Sequence, residues 1–149
     1  CAQFLGLTAQ HMAYLQNLLF TVSGDLATRL EDRWENMPLV SEVQIKGLES
    51  MIDAYNEPLA PLADFILPGG HPAVTAQHVC RVVCRRAERR AESLARVEPI
   101  GPAVRPFLNR LSDVFFVLAR RVGFELTQAG LAADEVIWRR DLTPPPFPK

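Results

Sequence analysis

Long apolar runs are missing from this sequence. No stretch approaches the ~20 residues that cross a bilayer as a helix, so a transmembrane span is not expected. Cysteine is scarce: Cys1, Cys80 and Cys84 are too few, and odd in number, for a disulfide-stapled secreted domain. They suit a reducing compartment, and with no signal peptide in view a cytoplasmic location is expected. Neither sign of charge prevails. Sixteen Lys and Arg stand against 17 Asp and Glu, a formal net charge of −1, which argues against a nucleic-acid partner. Glu-x-x-His pairs are absent, which excludes the di-metal helical-bundle pattern. No metal site is expected either, because Cys80 and Cys84 with His78 nearby offer two or three donors on one helical surface, short of a closed set. His11, His71 and His78 are scattered, and no nucleophile–base pair is evident.

What is present is ordinary globular composition, 48% apolar and 22% charged over 149 residues, enough for one domain spanning 1–149. Helical periodicity dominates. Cys1 to about Leu7 reads as the tail of an earlier helix whose greater part lies upstream. From Gln10 to about Arg29, Met12, Leu15, Leu19, Val22 and Leu26 form one buried stripe. Leu30–Leu39, with Pro38, reads as a loop. Ser41 with Gln44 fits a capping box, opening a helix whose stripe is Leu48, Met51, Ile52 and Tyr55 and which Pro58 helps to stop. Pro61–Pro72 is the main break, and Phe65-Ile66-Leu67-Pro68-Gly69-Gly70 reads there as a fixed, bent loop. A long helix is expected from about Pro72 to Ala95, with Pro72 at its first position. Another starts near Gly101, carries Phe107, Leu111, Val114, Phe115, Leu118 and Val122, and stops near Gly123. Residues 139–149 form a Pro-rich tail in which Pro144, Pro145, Pro146 and Pro148 forbid helix. No strand pair is expected; the fold class is all-α, a helical bundle.

The Pro72–Ala95 helix concentrates Arg81, Arg85, Arg86, Arg89, Arg90 and Arg96, with Glu88 and Glu92 as the only acids among them. Arg81, Arg85 and either Glu88 or Arg89 share a face; Arg86 and Arg90 lie on an adjacent one. Guanidinium forks match phosphate oxygens two at a time, so the row suits a polyphosphate; a solvated, salt-bridged face is the alternative. On the next helix Asn109 and Asp113 are four apart in an apolar setting. Asn109 could read a ribose or phosphate, and Asp113 could orient an arginine of the preceding helix; a capped or surface polar pair is the other reading.

Together these segments resemble the PduO-type corrinoid adenosyltransferases. The resemblance rests on Phe65–Gly70, His78, Arg81-Val82-Val83-Cys84-Arg85-Arg86-Ala87-Glu88-Arg89 and Phe107-Leu108-Asn109-Arg110-Leu111-Ser112-Asp113, in that order and spacing. Gln16–Phe20, Gly24–Thr28 and Asp134–Trp138 extend it over nearly the whole chain. It implies a homotrimer of five-helix bundles, the first helix largely missing here, with active sites between subunits. It implies transfer of the 5′-deoxyadenosyl group of ATP to cob(I)alamin, with triphosphate leaving and Mg²⁺ assisting. On the same resemblance Arg85, Arg86, Glu88, Arg89 and Asn109 would bind ATP, and Arg85 and Phe65 would be catalytic. Phe65 would lie against the corrin and exclude the lower axial ligand of cobalt; Arg81 would form an intersubunit ion pair and Asp113 would brace the site. The family's Thr-Arg-Gly-Asp-Gly type loop, which wraps the triphosphate, is not in the sequence shown. A non-catalytic trimeric homologue that binds corrinoid or nucleotide is therefore the alternative.

Overall fold

The computed structural model describes residues 2–143. They form four α-helices: α1 (Ala2–Ala27), α2 (Glu42–Asn56), α3 (Pro72–Ala95) and α4 (Val104–Gln128), with one 3-10 turn at Leu30–Asp32. The expected break between an earlier helix ending near Leu7 and a new one at Gln10 is absent, and α1 runs through. Gly6 is the only weak helix former nearby, and one such residue costs ~1 kcal/mol, too little to interrupt a helix this long. The buried face of α1 is Leu15, Leu18 and Val22, with Met12 and Leu26 partly covered; Leu19, expected inside, is exposed.

The capping box of α2 is formed: the Ser41 hydroxyl accepts from Val43 N–H at 3.3 Å, and Gln44 Oε1 accepts from Ser41 N–H at 3.0 Å. Ile45, Leu48, Met51 and Tyr55 make its buried row. The His71 ring caps α3, its Nδ1 accepting from Ala73 N–H at 3.1 Å, and Pro72 occupies the first turn, where a missing N–H costs nothing.

The centre of the bundle is α4, which packs against α2, α3 and α1. Phe107, Leu108, Leu111, Val114 and Leu118 are essentially inaccessible, so this helix is apolar around most of its girth. It does not stop at Gly123. Gly123 lies inside the helix facing Val74 of α3, where a Cβ would meet Val74 Cγ2 at an ordinary contact distance of 3.5 Å. The stop is Gly130, whose φ of +69° only glycine takes readily. Leu131 N–H bonds Leu126 O at 2.8 Å and Gly130 N–H bonds Thr127 O at 2.9 Å, a Schellman closure that satisfies the last carbonyls.

One strand-like contact was not expected. Ile66 and Ile137 form a single antiparallel bridge, with Leu67 N–H donating to Val136 O at 2.7 Å and Trp138 N–H to Phe65 O at 2.8 Å. Arg139–Thr143 beyond it is irregular and exposed; Pro144, Pro145, Pro146 and Pro148 of the tail, and Cys1, lie outside the described residues. No helix among the described residues is long and apolar enough to cross a membrane.

Candidate functional site

The C-terminal half of α3 and the start of α4 enclose an open groove of about 400 Å³. Arg85, Glu88, Arg89 and Glu92 line it from α3, at steps of three and four residues that keep them on one face. Pro102, Arg105, Pro106, Asn109 and Arg110 line it from the connecting turn and α4. Four guanidiniums thus meet two carboxylates in a chain whose net charge is −1.

The carboxylates act as braces. Glu88 accepts from Asn109 Nδ2 at 3.0 Å with one oxygen and pairs with Arg85 Nη1 through the other. One turn on, Glu92 pairs with Arg105 Nε at 2.6 Å. Arg110 pairs with Asp113 at 3.1 Å. Asp113 thus meets an arginine of its own helix, in a pair with both side chains 42% exposed, and among the described residues no arginine of α3, so it matches the surface-pair reading. Arg89 reaches no carboxylate among the described residues. Arg86 is exposed on the neighbouring face and does not line the groove. Arg105 and Arg110 were not singled out from the sequence; Arg105 lies four before Asn109, and that spacing could have found it.

Behind the groove, Cys84 turns its thiol to Leu108 O at 3.3 Å. Burial, with the Glu88 carboxylate second, pushes that thiol up to about 12, which leaves it inert as nucleophile or ligand. Cys80 is exposed, and no group of three or more His, Cys, Asp or Glu among the described residues could hold a metal ion.

Toward the other end of α3, the guanidinium of Arg81 lies 4.8 Å from the centre of the Phe116 ring, and its Nε is buried without a hydrogen-bond partner among the described residues. Next to it His78 is buried against the same ring. Desolvation first, and the Arg81 charge second, pull its pKa below the usual 6.5, so it is a neutral imidazole.

The Phe65 loop packs over this end. A small cavity beneath it is lined by Ile66, Leu67, His71, Val74, His78 and Arg120 among others. Gly70, with φ of +94°, makes the bend back into α3. Phe65 itself is 80% exposed and is not a core anchor for the turn. It forms one wall of a shallow apolar depression of about 350 Å³ with Ile66, Leu67, Trp138 and Arg140. Trp138 was read only as part of the C-terminal segment; its place beside Phe65 depends on pairing across more than 70 residues, which no local pattern announces.

A single chain does not bring the groove and this platform together. The platform loop packs on His71–His78 and the groove occupies Arg85–Glu92, so at ~1.5 Å per residue the two centres lie about 20 Å apart along α3.

The all-helical bundle thus presents a braced arginine groove toward one end of α3 and an exposed aromatic platform toward the other. The family model for cobalamin adenosyltransferase matches residues 3–122, and the chain belongs to that family. It is 39% identical over 130 residues to a cobalamin adenosyltransferase of Cupriavidus metallidurans, covering 87% of this chain and 65% of that one. To a corrinoid adenosyltransferase of Mycobacterium tuberculosis it is 43% identical over 109 residues, 71% of this chain and 56% of that one. The chain thus spans less than two thirds of the length of these relatives. Among solved structures it superposes with TM-score 0.81 and 35% identity on a variant PduO-type ATP:corrinoid adenosyltransferase from Lactobacillus reuteri complexed with cobalamin and ATP, covering 90% of this chain and 71% of that one. A second variant of that enzyme, complexed with ATP, gives TM-score 0.78 and 34% identity.

Proposed function

We propose that this chain transfers the 5′-deoxyadenosyl group of ATP to cob(I)alamin, forming adenosylcobalamin and triphosphate. The observation that carries the reading is the Arg85–Glu88–Asn109 chain in a groove with excess positive charge. The structural neighbours, one complexed with cobalamin and ATP and the other with ATP, support it.

Cobalt(I) brings its own electron pair to the 5′ carbon. The cobalt–carbon bond forms as the carbon–oxygen bond breaks, and the triphosphate leaves with those electrons. No proton has to be moved, in keeping with a groove whose two carboxylates, Glu88 and Glu92, are engaged by Arg85, Asn109 and Arg105. The protein has two tasks: hold the reacting atoms in line, and stabilise charge growing on the leaving group. Arg85, oriented by Glu88, and Arg89, which meets no carboxylate among the described residues, do the second; Asn109 fixes Glu88 and faces the nucleotide. The groove carboxylates are already engaged by Arg85, Asn109 and Arg105, so Mg²⁺ would be held mainly by phosphate oxygens, where it supplies charge neutralisation. Phe65 is the apolar group against the corrin, keeping water and the lower axial ligand from cobalt.

On this reading the active sites lie between the subunits of a cytoplasmic homotrimer, one chain's groove facing another's platform. The ~20 Å separation within one chain supports it, and on the same reading Arg81 forms an ion pair with a carboxylate of a neighbouring subunit. The deciding experiment is anaerobic: reduced cobalamin, ATP and Mg²⁺ with the protein, following the absorbance of the cobalt–carbon product. Protein that binds ATP yet forms no product would sink the reading. Mixing an Arg85→Ala chain with a Phe65→Ala chain tests the shared site; recovery of turnover is expected, and none means each site lies within one chain.

A further inference from the structure

Arg120 is 7% exposed on α4, eleven residues beyond Asn109 and so about 16 Å from the groove. Its α4 neighbours Val117, Leu118, Ala119 and Val122 are all buried and apolar. A guanidinium in such a place is costly unless its donors are met, and an aliphatic residue would pack as well. Here two of them are met in a particular way. Nε donates to Glu135 Oε1 at 2.9 Å, and Nη2 donates to Ala60 O at 2.8 Å. Ala60 opens the stretch that leads to Phe65. Glu135 stands immediately before Val136–Trp138, the stretch that pairs with Phe65–Leu67. One guanidinium therefore ties both halves of the aromatic platform to α4 at the points where they leave the bundle.

We infer that Arg120 and Glu135 are positioning residues for the apolar ligand surface: the pair fixes the height and register of Phe65 and Trp138 without touching either substrate. The inference rests on the adenosyltransferase reading for the identity of the ligand, cobalamin, but not for the mechanics of the latch. The arginine groove lies outside its reach, so the latch acts on one substrate only.

Glu135→Ala is the informative variant, because Glu135 is at the open end of the pair, 31% exposed, and lies beyond α4. Glu135→Gln keeps an oxygen that can accept from Arg120 Nε. In Glu135→Ala, kcat/KM for cobalamin is expected to fall about 10- to 100-fold, as displacement of a positioning group by ~1 Å does, with the ATP dissociation constant unchanged. Glu135→Gln recovers most of the loss. In the ligand-free protein, amide hydrogen exchange at Leu67 and Trp138, whose N–H groups report the pairing, speeds up about tenfold or more in Glu135→Ala and not in Glu135→Gln. Wild-type cobalamin kinetics in Glu135→Ala, an equal loss of ATP affinity, or unchanged exchange at both amides would each overturn the latch. If the wild-type chain makes no adenosylcobalamin, the activity reading falls by itself, and the exchange measurement alone then decides whether the latch exists.

Discussion

Gly101 sits in the turn between α3 and α4 with the carboxylate of Asp25 pressed against it: a Cβ at this position would lie 2.3 Å from Asp25 Oδ1 and 2.9 Å from Oδ2. Asp25 is 2% exposed. The end of so short a side chain could rotate away, but it is tethered, pairing with Arg33 at 2.5 Å and accepting from Val40 N–H at 3.3 Å. Gly101→Ala must therefore displace a buried ion pair that joins α1, the 33–40 segment and the turn. Breaking a buried pair costs ~3–5 kcal/mol. Arg33 keeps 16% exposure and the partners are moved, not deleted, so the lower end, about 3 kcal/mol, is expected. In a chain of this length that is a fall in Tm of about 6–12 °C. Thermal melts followed by circular dichroism, with urea unfolding beside them, make the measurement. Gly24→Ala is the control: nothing lies within 4 Å of its Cβ, and in a helix interior the change should stabilise by ~0.5–1 kcal/mol. In an Asp25→Ala background Gly101→Ala should cost little, because the clash has gone. A Gly101→Ala protein that melts with the wild type, or one whose loss persists unchanged without Asp25, refutes the reasoning.

Arg85→Ala removes the guanidinium that Glu88 orients; a charge-assisted contact is worth ~1.5–3 kcal/mol, so the ATP dissociation constant should rise about 10- to 100-fold by calorimetric titration. An unaltered titration returns the arginine face to a solvated, salt-bridged surface. Phe65→Ala should leave Tm within about 2 °C, as an exposed side chain allows, and leave ATP affinity intact while abolishing adenosylation of cobalamin; undiminished turnover removes Phe65 from the mechanism. His78 carries a pH effect of definite sign. Its folded pKa lies below the usual 6.5, through burial and then the Arg81 charge, with Glu135 opposing more weakly. The unfolded chain therefore takes up the proton first, and stability that is complete above pH 6.5 is lost as pH falls from 6.5 through the folded value. Tm measured from pH 7.5 downward should fall more steeply for the wild type than for His78→Asn, and equal slopes would count against it.

Where a local rule settles the backbone, the sequence was enough. Ser41 with Gln44 started α2, and Pro72 started α3 where expected, because caps and first-turn prolines act within four residues. Gly123 misled for the opposite reason. A glycine stops a helix only if the next residues can close the last turn, and that closure forms at Gly130–Leu131, where φ turns positive. Arg85 and Arg89 were legible as sharing a face of α3 from their four-residue step, and Arg86, about 100° around from Arg85, as lying on the adjacent one; Asn109, on α4, joins that face only through the packing of the two helices. The Phe65–Trp138 platform and the Asp25–Gly101 contact were not legible, since each joins residues more than 70 apart, and the Arg120–Glu135 pair was not because the chain must turn back on α4 after Gly130 to form it.

The straightness of α3 constrains how a reaction centre can be assembled. Beyond Pro72 it contains neither proline nor glycine, so nothing kinks it and the ~20 Å between platform and groove is fixed. Displacement at carbon requires the reacting atoms to approach to ~3–3.5 Å. One helix cannot offer both ends to one such pair unless the nucleotide stretches along it. A second copy can, by laying its platform beside the first copy's groove. The strip of α3 between the two ends is what that copy would meet: Val79, Val82 and Val83 are all exposed there, an apolar surface on a helix otherwise studded with arginine. Water is a poor neighbour for such a strip, and burying it against another chain would supply the association that the shared site needs.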